Sequence, residues 1–448
     1  MFLYYKIKFQ VMNKDKLLDK SINLSCNNCI QKNNTLYEDS WDFKNANTKE
    51  YTHCFHSYPA MMIPQVARRI IEIYGGNATL LFDPYCGTGT SLVEANLKGI
   101  NAIGTDLNPL ARLIAQAKTT KIDSKALDKY LYDFTNYLFS KSFKEEDYST
   151  ITLPCITNID IWFSKSVQYK LAIIFNYIIQ KIDNVFIQNF FKVAFSETIR
   201  ETSNTKNGEF KLVRDKKLIK TEDLDVFGII LGKLSRNKEG LINFIKVCPQ
   251  NVVSHIYSFN TVLSIPYDLV PQESVDIVVT SPPYGDSRTT VAYGQFSRFA
   301  NEWLGFHNAN KIDNLLMGGR KNNVNNFKFN NDLLNDVITA ISNKDNKRAM
   351  EVVSFFKDYE SSIVNVSATI KKGGVVCYVV GNRTVKNINI PTNKITAQLF
   401  EQNNFVHMET IVRNIPNKRM PLMNSPTNIP GQTGQTMKNE YIVICKKI

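Results

Sequence analysis

Residues 78 to 90 read ATLLFDPYCGTGT: a short apolar run, an Asp-Pro pair, and two glycines one residue apart. A bounded apolar run of this length predicts a buried strand, and the glycines after it predict a turn with φ > 0 that lets a ligand approach the backbone. SLVEANLKG then predicts a helix closed by Gly99, NAIGTD a second short strand ending in Asp106, and NPLARLIAQAKT another helix. Strand, glycine turn, helix, strand and carboxylate in this order open a doubly wound α/β domain. A carboxylate at the end of the second strand can accept both hydroxyls of a ribose. The turn lacks the Gly-Lys-Ser/Thr ending of a phosphate loop, so the expected ligand is a nucleoside without a polyphosphate.

The pattern extends in both directions. Upstream, IPQVARRIIEIYG has helical spacing and stops at Gly75-Gly76; residues 1–50 are polar and Asn-rich and read as an arm. Downstream, residues 120–249 turn to long aromatic-rich helical patterns with the basic segment TSNTKNGEFKLVRDKKLIK, too long for a βα connection and therefore an inserted, mainly helical region. NVVSHIYSF and SVDIVVT read as the third and fourth core strands. A second, Asn/Lys-rich insertion covers 305–350, followed by a helix expected to close at Gly373-Gly374, the strand VVCYVVG, a helix at ITAQLFEQNNF, and two final strands, FVHMETIVRNI and NEYIVICKK. The α/β core is thus expected in 51–119, 250–304 and 351–448.

The 448 residues carry 54 Lys+Arg against 41 Asp+Glu, a net charge of +13 that favours a polyanionic partner. No apolar run is long enough for a membrane span, and MFLYYKIKFQVM lacks the layout of a signal peptide, so a cytoplasmic, bacterial-type protein is expected. The eight cysteines are mostly scattered, as in a reduced compartment. Cys26 and Cys29, with His53, Cys54 and His56 further on, lack a matching zinc-ligand spacing, and no metal is expected.

A second stretch carries chemistry: TSPPYGDS, 280–287, directly after VDIVV. Ligands of doubly wound sheets sit at the carboxyl ends of the strands, which sets this corner beside the glycine turn. The prolines stiffen it and leave their carbonyls as acceptors; Ser281 adds a hydroxyl, and Tyr284 a flat face for a ring. A planar amino group could be gripped by Ser281 Oγ and the Pro282 carbonyl while its ring stacks on Tyr284.

FDPYCGTGT, GTDLNP and TSPPYGDS together resemble the S-adenosylmethionine-dependent amino-methyltransferases of DNA, which modify N4 of cytosine or N6 of adenine. HSYPAMMIPQVARRII resembles the segment that covers the methionine end of the cofactor in that family. The resemblance spans about 53–118, 251–303 and 370–448. It implies a Rossmann-like methyltransferase sheet and S-adenosyl-L-methionine as cofactor, with Asp83, Pro84, Tyr85, Gly87, Gly89, Thr90 and Asn260 lining its site and Asp106 on its ribose. It also implies Ser281, Pro282, Pro283 and Tyr284 as the catalytic corner. Asn260 stands where the family often has an acidic residue. A serine at the head of the corner is commoner among cytosine-N4 enzymes; adenine-N6 methylation is the alternative, and an RNA amino-methyltransferase a further one.

The implied partner is double-stranded DNA, together with a cognate restriction endonuclease acting on the same site. A stacked base cannot reach such a corner, so base flipping is implied. DNA contacts are expected from Lys211, Arg214, Lys216 and Lys217 in the first insertion, with the second insertion as another reader. Arg383, Lys418 and Arg419, at the ends of late strands, are expected to contact DNA near the flipped base. Cys86, in the glycine turn, is not expected to act as a nucleophile.

Overall fold

The computed structural model describes residues 30–32, 35–143, 147–206, 211–215, 224–285, 291–319, 328–415, 423–424, 434–435 and 437–448. Its centre is a nine-stranded mixed sheet. In chain order the strands are β1 (Ile30–Lys32), β2 (Thr35–Tyr37), β3 (Leu80–Asp83), β4 (Asn101–Thr105), β5 (Ser254–Tyr257), β6 (Val275–Thr280), β7 (Ile370–Val380), β8 (Phe405–Asn414) and β9 (Asn439–Lys447). Their spatial order is β1-β2-β8-β9-β7-β6-β3-β4-β5. Strands β7, β6, β3, β4 and β5 run parallel, and β9 inserts antiparallel between β7 and β8.

Because the chain leaves β3 toward β4 and β5 and then returns to β6 on the other side of β3, the strand order reverses between β3 and β6. That reversal opens a crevice at the strand ends, and it brings FDPY and TSPPY side by side. Both faces of the sheet are covered, which is why β6 is apolar almost throughout. On one face Ile277 and Val279 pack with Val66, Ala67 and Ile70 of helix α1 (Pro64–Tyr74) and Leu92 and Ala95 of α2 (Thr90–Leu97). On the other, Phe82 and Val278 share a core with later helices that carry Phe355, Tyr359, Ile395 and Phe400.

After α3 (Pro109–Thr119), the insertion supplies α4 (Ser124–Ser142), α5 (Lys165–Lys181), α6 (Val185–Thr202) and α7 (Val226–Val247). Asp123, Ser164, Asn184 and Asp225 cap them in turn, each accepting from a backbone N–H of the first turn. Their apolar faces form a helical core that also takes in α3 and α8 (Tyr293–Trp303), with Phe163, Phe190, Phe195 and Trp303 buried in it. The expected helical insertion is therefore not a detached module; it is built onto the helix that follows the Ser-Pro-Pro-Tyr corner.

Two local readings are corrected. The polar arm does not run unbroken to residue 50: β2 pairs in parallel with β8, and Trp41 is 1% exposed beneath the Arg69 guanidinium. An isolated tryptophan in a polar stretch was the signal that this segment packs. Gly373-Gly374 do not cap a helix. That helix, α9 (Asn346–Thr369), ends earlier, and β7 starts at Ile370 and runs through both glycines. Gly373 adopts φ +81°, and a Cβ on Gly374 would fall 2.7 Å from Ile370 Cγ2, so the pair serves an irregular strand start. The helix of ITAQLFEQNNF, α10, covers Thr392–Glu401.

Candidate active site

A cleft of about 1000 Å³ opens at the strand-order reversal. One wall is the glycine turn. Gly87 (φ +49°) and Gly89 (φ +76°) both require the left-handed region; a Cβ on Gly89 would lie 3.0 Å from Ala115 Cβ, whereas nothing stands within 4 Å of one on Gly87. Gly89 is thus glycine for packing, and Gly87 leaves room for a ligand. Asp106 closes the turn from the neighbouring strand: its Oδ2 accepts from Gly87 N at 3.1 Å and its Oδ1 from Asn108 N at 2.7 Å. Each oxygen keeps a lone pair for a hydroxyl on the ligand. Burial raises the Asp106 carboxyl, and these N–H groups and the Arg112 guanidinium pull it back.

Asp83 lines the cleft, and its oxygens are engaged within the protein. Oδ1 accepts from Tyr85 N at 3.1 Å and Thr280 Oγ1 at 2.5 Å, and Oδ2 accepts from Ser91 Oγ. It therefore staples the end of β3 to the end of β6, one residue from Ser281. Burial pushes it up to about 6 from an ordinary 3.8. A carboxyl raised on folding contributes stability that is present below its unfolded pKa and lost as pH rises through the folded one. Asp83→Asn is accordingly expected to gain on the parent by up to roughly 3 kcal/mol between about pH 4 and 6, read from urea midpoints. A difference independent of pH would exclude a buried charge there.

The remaining walls come from three segments. Tyr58, Pro59, Met61 and Met62 form one; Phe259, Asn260 and Val262 after β5 form the second; Tyr293, Leu316 and Met317 form the third. The Tyr58 hydroxyl accepts from Asn108 Nδ2 at 2.8 Å, and its ring stacks on Tyr293 at 6.1 Å and 15°. Asn260 uses its Oδ1 on Val262 N at 3.0 Å, so its amide nitrogen is the group left to meet a ligand. The segment carrying Tyr58 is fastened to the insertion. Arg236 of α7 donates to Phe55 O at 3.0 Å and to Glu197 Oε2 at 2.7 Å, and Ser57 N donates to Glu197 Oε1 at 3.0 Å.

Of the Ser-Pro-Pro-Tyr corner, Ser281 and Pro283 face this cleft; Pro282 is buried beneath it. Tyr284 does not line the cleft, so the flat face expected for a stacked ring is not presented there; its hydroxyl accepts from Ser281 Oγ at 3.2 Å and donates to Glu440 Oε1 at 3.1 Å. Its ring packs on Gly381, where a Cβ would fall 2.8 Å from Tyr284 Cδ2. Pro84, Tyr85 and Thr90 line the cleft, and Tyr85 also bonds Ser362 Oγ at 2.5 Å. Burial pushes the Cys86 thiol well above its usual range, away from nucleophilic use.

Lys211 and Arg214 are exposed, and Leu212 N donates to Gln295 Oε1 of α8 at 3.2 Å, which holds this basic strip beside the cleft wall. Arg383 lies against the corner: a Cβ on Gly285 would come 2.0 Å from its Nη1. Lys216, Lys217, Lys418 and Arg419 fall outside the described residues, as do Cys26 and Cys29. His53 pairs with Glu94 at 2.9 Å. No described helix is long and apolar enough to cross a membrane. Sequence reasoning missed Thr280, Tyr293, Met317, Arg413 and Glu440; Thr280 stood inside TSPPYGDS, and Arg413 and Glu440 inside the two final strand stretches, where nothing marked them as site residues.

This cleft suits a nucleoside-bearing methyl donor: a backbone approach at Gly87, the Asp106 carboxylate bonded to the turn, apolar and thioether walls, and the Ser281 hydroxyl and Pro283 on the same cleft. Comparison with known proteins shows the class, an S-adenosylmethionine-dependent amino-methyltransferase. A family model described as DNA methylase matches residues 1–117. The Type II methyltransferase M.MvaI of Kocuria varians is 40% identical over 429 residues, covering 90% of this chain and 93% of that protein. The Type II methyltransferase M.MjaII of Methanocaldococcus jannaschii is 35% identical over 115 residues, 24% of this chain and 22% of that one. A tRNA (guanine(10)-N2)-dimethyltransferase of Methanothermobacter thermautotrophicus is 40% identical over only 52 residues, 11% of this chain and 16% of that one. The chain belongs to the Type II DNA methyltransferases, which use S-adenosylmethionine as methyl donor.

Proposed function

We propose that the enzyme methylates the exocyclic N4 amine of cytosine at a specific site in duplex DNA, and that it is the modification member of a restriction-modification pair. The observation that carries this reading is the shared cleft: Ser281 and Pro283 line it together with Gly87 and Asp106. A serine at the head of the corner supports cytosine over adenine through the resemblance described above. The relative of similar length being a Type II methyltransferase supports the pairing with an endonuclease that reads the same site.

In this reading Gly87, Asp106 and the Tyr58 segment hold the cofactor. When bound, it would supply a sulfonium methyl to the amine nitrogen and leave as a neutral thioether with the S–C electron pair, and the proton the nitrogen sheds would pass to solvent. Ser281 Oγ and a proline carbonyl accept from the amine's N–H groups and so draw its lone pair out of the ring. Holding both reactants in place supplies most of the rate. The base arrives flipped, which costs a few kcal/mol of unstacking. Lys211, Arg214, Lys216, Lys217, Arg383, Lys418 and Arg419 are the proposed phosphate and flanking-base contacts, and the helical insertion is the proposed sequence reader. The test is sequencing of DNA from cells expressing the enzyme with chemistry that separates N4-methylcytosine from N6-methyladenine. N4-methylcytosine at one recurrent site is expected; N6-methyladenine, or methyl groups in RNA alone, overturns the proposal.

A further inference from the structure

We propose that Glu440, acting through the Tyr284 hydroxyl, fixes Ser281 as a hydrogen-bond acceptor toward the cleft, making Glu440 and Arg413 positioning residues for the target amine. The inference rests on the reading of Ser281 as the residue that grips that amine.

The argument is one of hydrogen-bond polarity. Three groups stand in a row: Ser281 Oγ is 3.2 Å from the Tyr284 hydroxyl oxygen, which is 3.1 Å from Glu440 Oε1. At the far end, the other carboxylate oxygen of Glu440 is paired with Arg413 Nη1. Arg413 is 2% exposed and is itself fixed: Nε donates to Trp41 O at 2.9 Å, and Nη2 donates to Asp42 O at 3.3 Å. An ion-paired carboxylate only accepts, so the single phenolic proton of Tyr284 must point at Glu440. The tyrosine oxygen then has only lone pairs for Ser281, and the single hydroxyl proton of Ser281 points at Tyr284. What Ser281 can offer the cleft is lone pairs alone.

An exocyclic amine needs this orientation. It presents N–H donors, and its own lone pair is the nucleophile. If the row ran the other way, the Ser281 proton would face the cleft and could bond the lone pair that must attack. Burial and the adjacent Glu440 raise the Tyr284 phenol well above its usual value, which keeps that proton in place. The ring rests on Gly381, against which Met437 packs as well.

The test is a double-mutant cycle read by single-turnover methyl transfer to duplex DNA. In Glu440→Gln, Arg413 claims the amide carbonyl, so the amide NH2 faces Tyr284 and reverses the row at constant shape. Tyr284→Phe removes the linking oxygen and keeps the ring. Each is expected to slow transfer by about ten- to a hundredfold, the worth of one charge-assisted hydrogen bond, with Kd for cofactor and for DNA unchanged. The double variant is expected to be no slower than the slower single one, because Glu440 reaches Ser281 only through that oxygen. Equal factors for Glu440→Gln in both backgrounds would show that Glu440 acts on the fold, and would overturn the inference. An unchanged rate in Tyr284→Phe overturns it even if Glu440→Gln fails to fold. Ser281→Ala separates the two readings: activity retained there refutes the corner itself, whereas activity lost there with an additive cycle refutes only the role of Glu440.

Discussion

Ser281→Ala is expected to cut methyl transfer to duplex DNA by at least about a thousandfold while leaving the cofactor Kd within about threefold. The substitution removes one oxygen from a half-buried site just after β6 and leaves the glycine turn and Asp106, which line the same cleft, untouched. What it removes is an acceptor that meets the amine where charge develops, and losing one such group commonly costs two to three orders of magnitude. The misplacement of the amine that follows adds to this. Labelled-methyl incorporation gives the rate and isothermal titration calorimetry the Kd. Retention of more than about a tenth of the parent rate would mean that another group holds the amine.

Asp106→Ala is expected to weaken S-adenosylmethionine binding by at least about a hundredfold. The carboxylate has two tasks in one place. Its oxygens accept from Gly87 N and Asn108 N, and their remaining lone pairs face the cleft. Removing it strips charge-assisted bonds from the ligand and leaves two backbone donors at the turn without their acceptor, each effect worth of order 1–3 kcal/mol. Asp106→Asn preserves one of the backbone contacts and is expected to fall between parent and Asp106→Ala. Calorimetric titration, with circular dichroism melts to show that the sheet is intact, checks both. An affinity unchanged in Asp106→Ala would move the ribose elsewhere in the cleft.

The parts of the site that could be read without coordinates were those whose chemistry is local. Gly87 and Gly89 announce themselves because only glycine takes their φ freely, and Ser281 to Tyr284 because two prolines after a buried strand demand a reason. Asp106 was legible because a βα unit has a standard length. Tyr293 was not, since an aromatic at the start of a helix is ordinarily core, and only its stacking on Tyr58 brings it to the cleft. Asp83 was legible as a lining residue but not as a staple, because Thr280 Oγ1 stands 197 positions away in the chain. Gly373-Gly374 misled because glycines close helices far more often than they open irregular strands.

The sequence by itself determined the parallel core, the glycine turn and the Ser-Pro-Pro-Tyr corner. Each of these depends on backbone torsions and apolar periodicity within a dozen neighbouring residues. Only the tertiary structure decided that the tail completes the corner: Glu440 lies 156 positions beyond Tyr284 and reaches it because β9 turns back between β7 and β8. Side chains in a strand alternate faces, so a shift of one residue in that antiparallel register would turn Glu440 to the other face of the sheet. The register is set by long-range pairing of apolar faces, which no local pattern specifies.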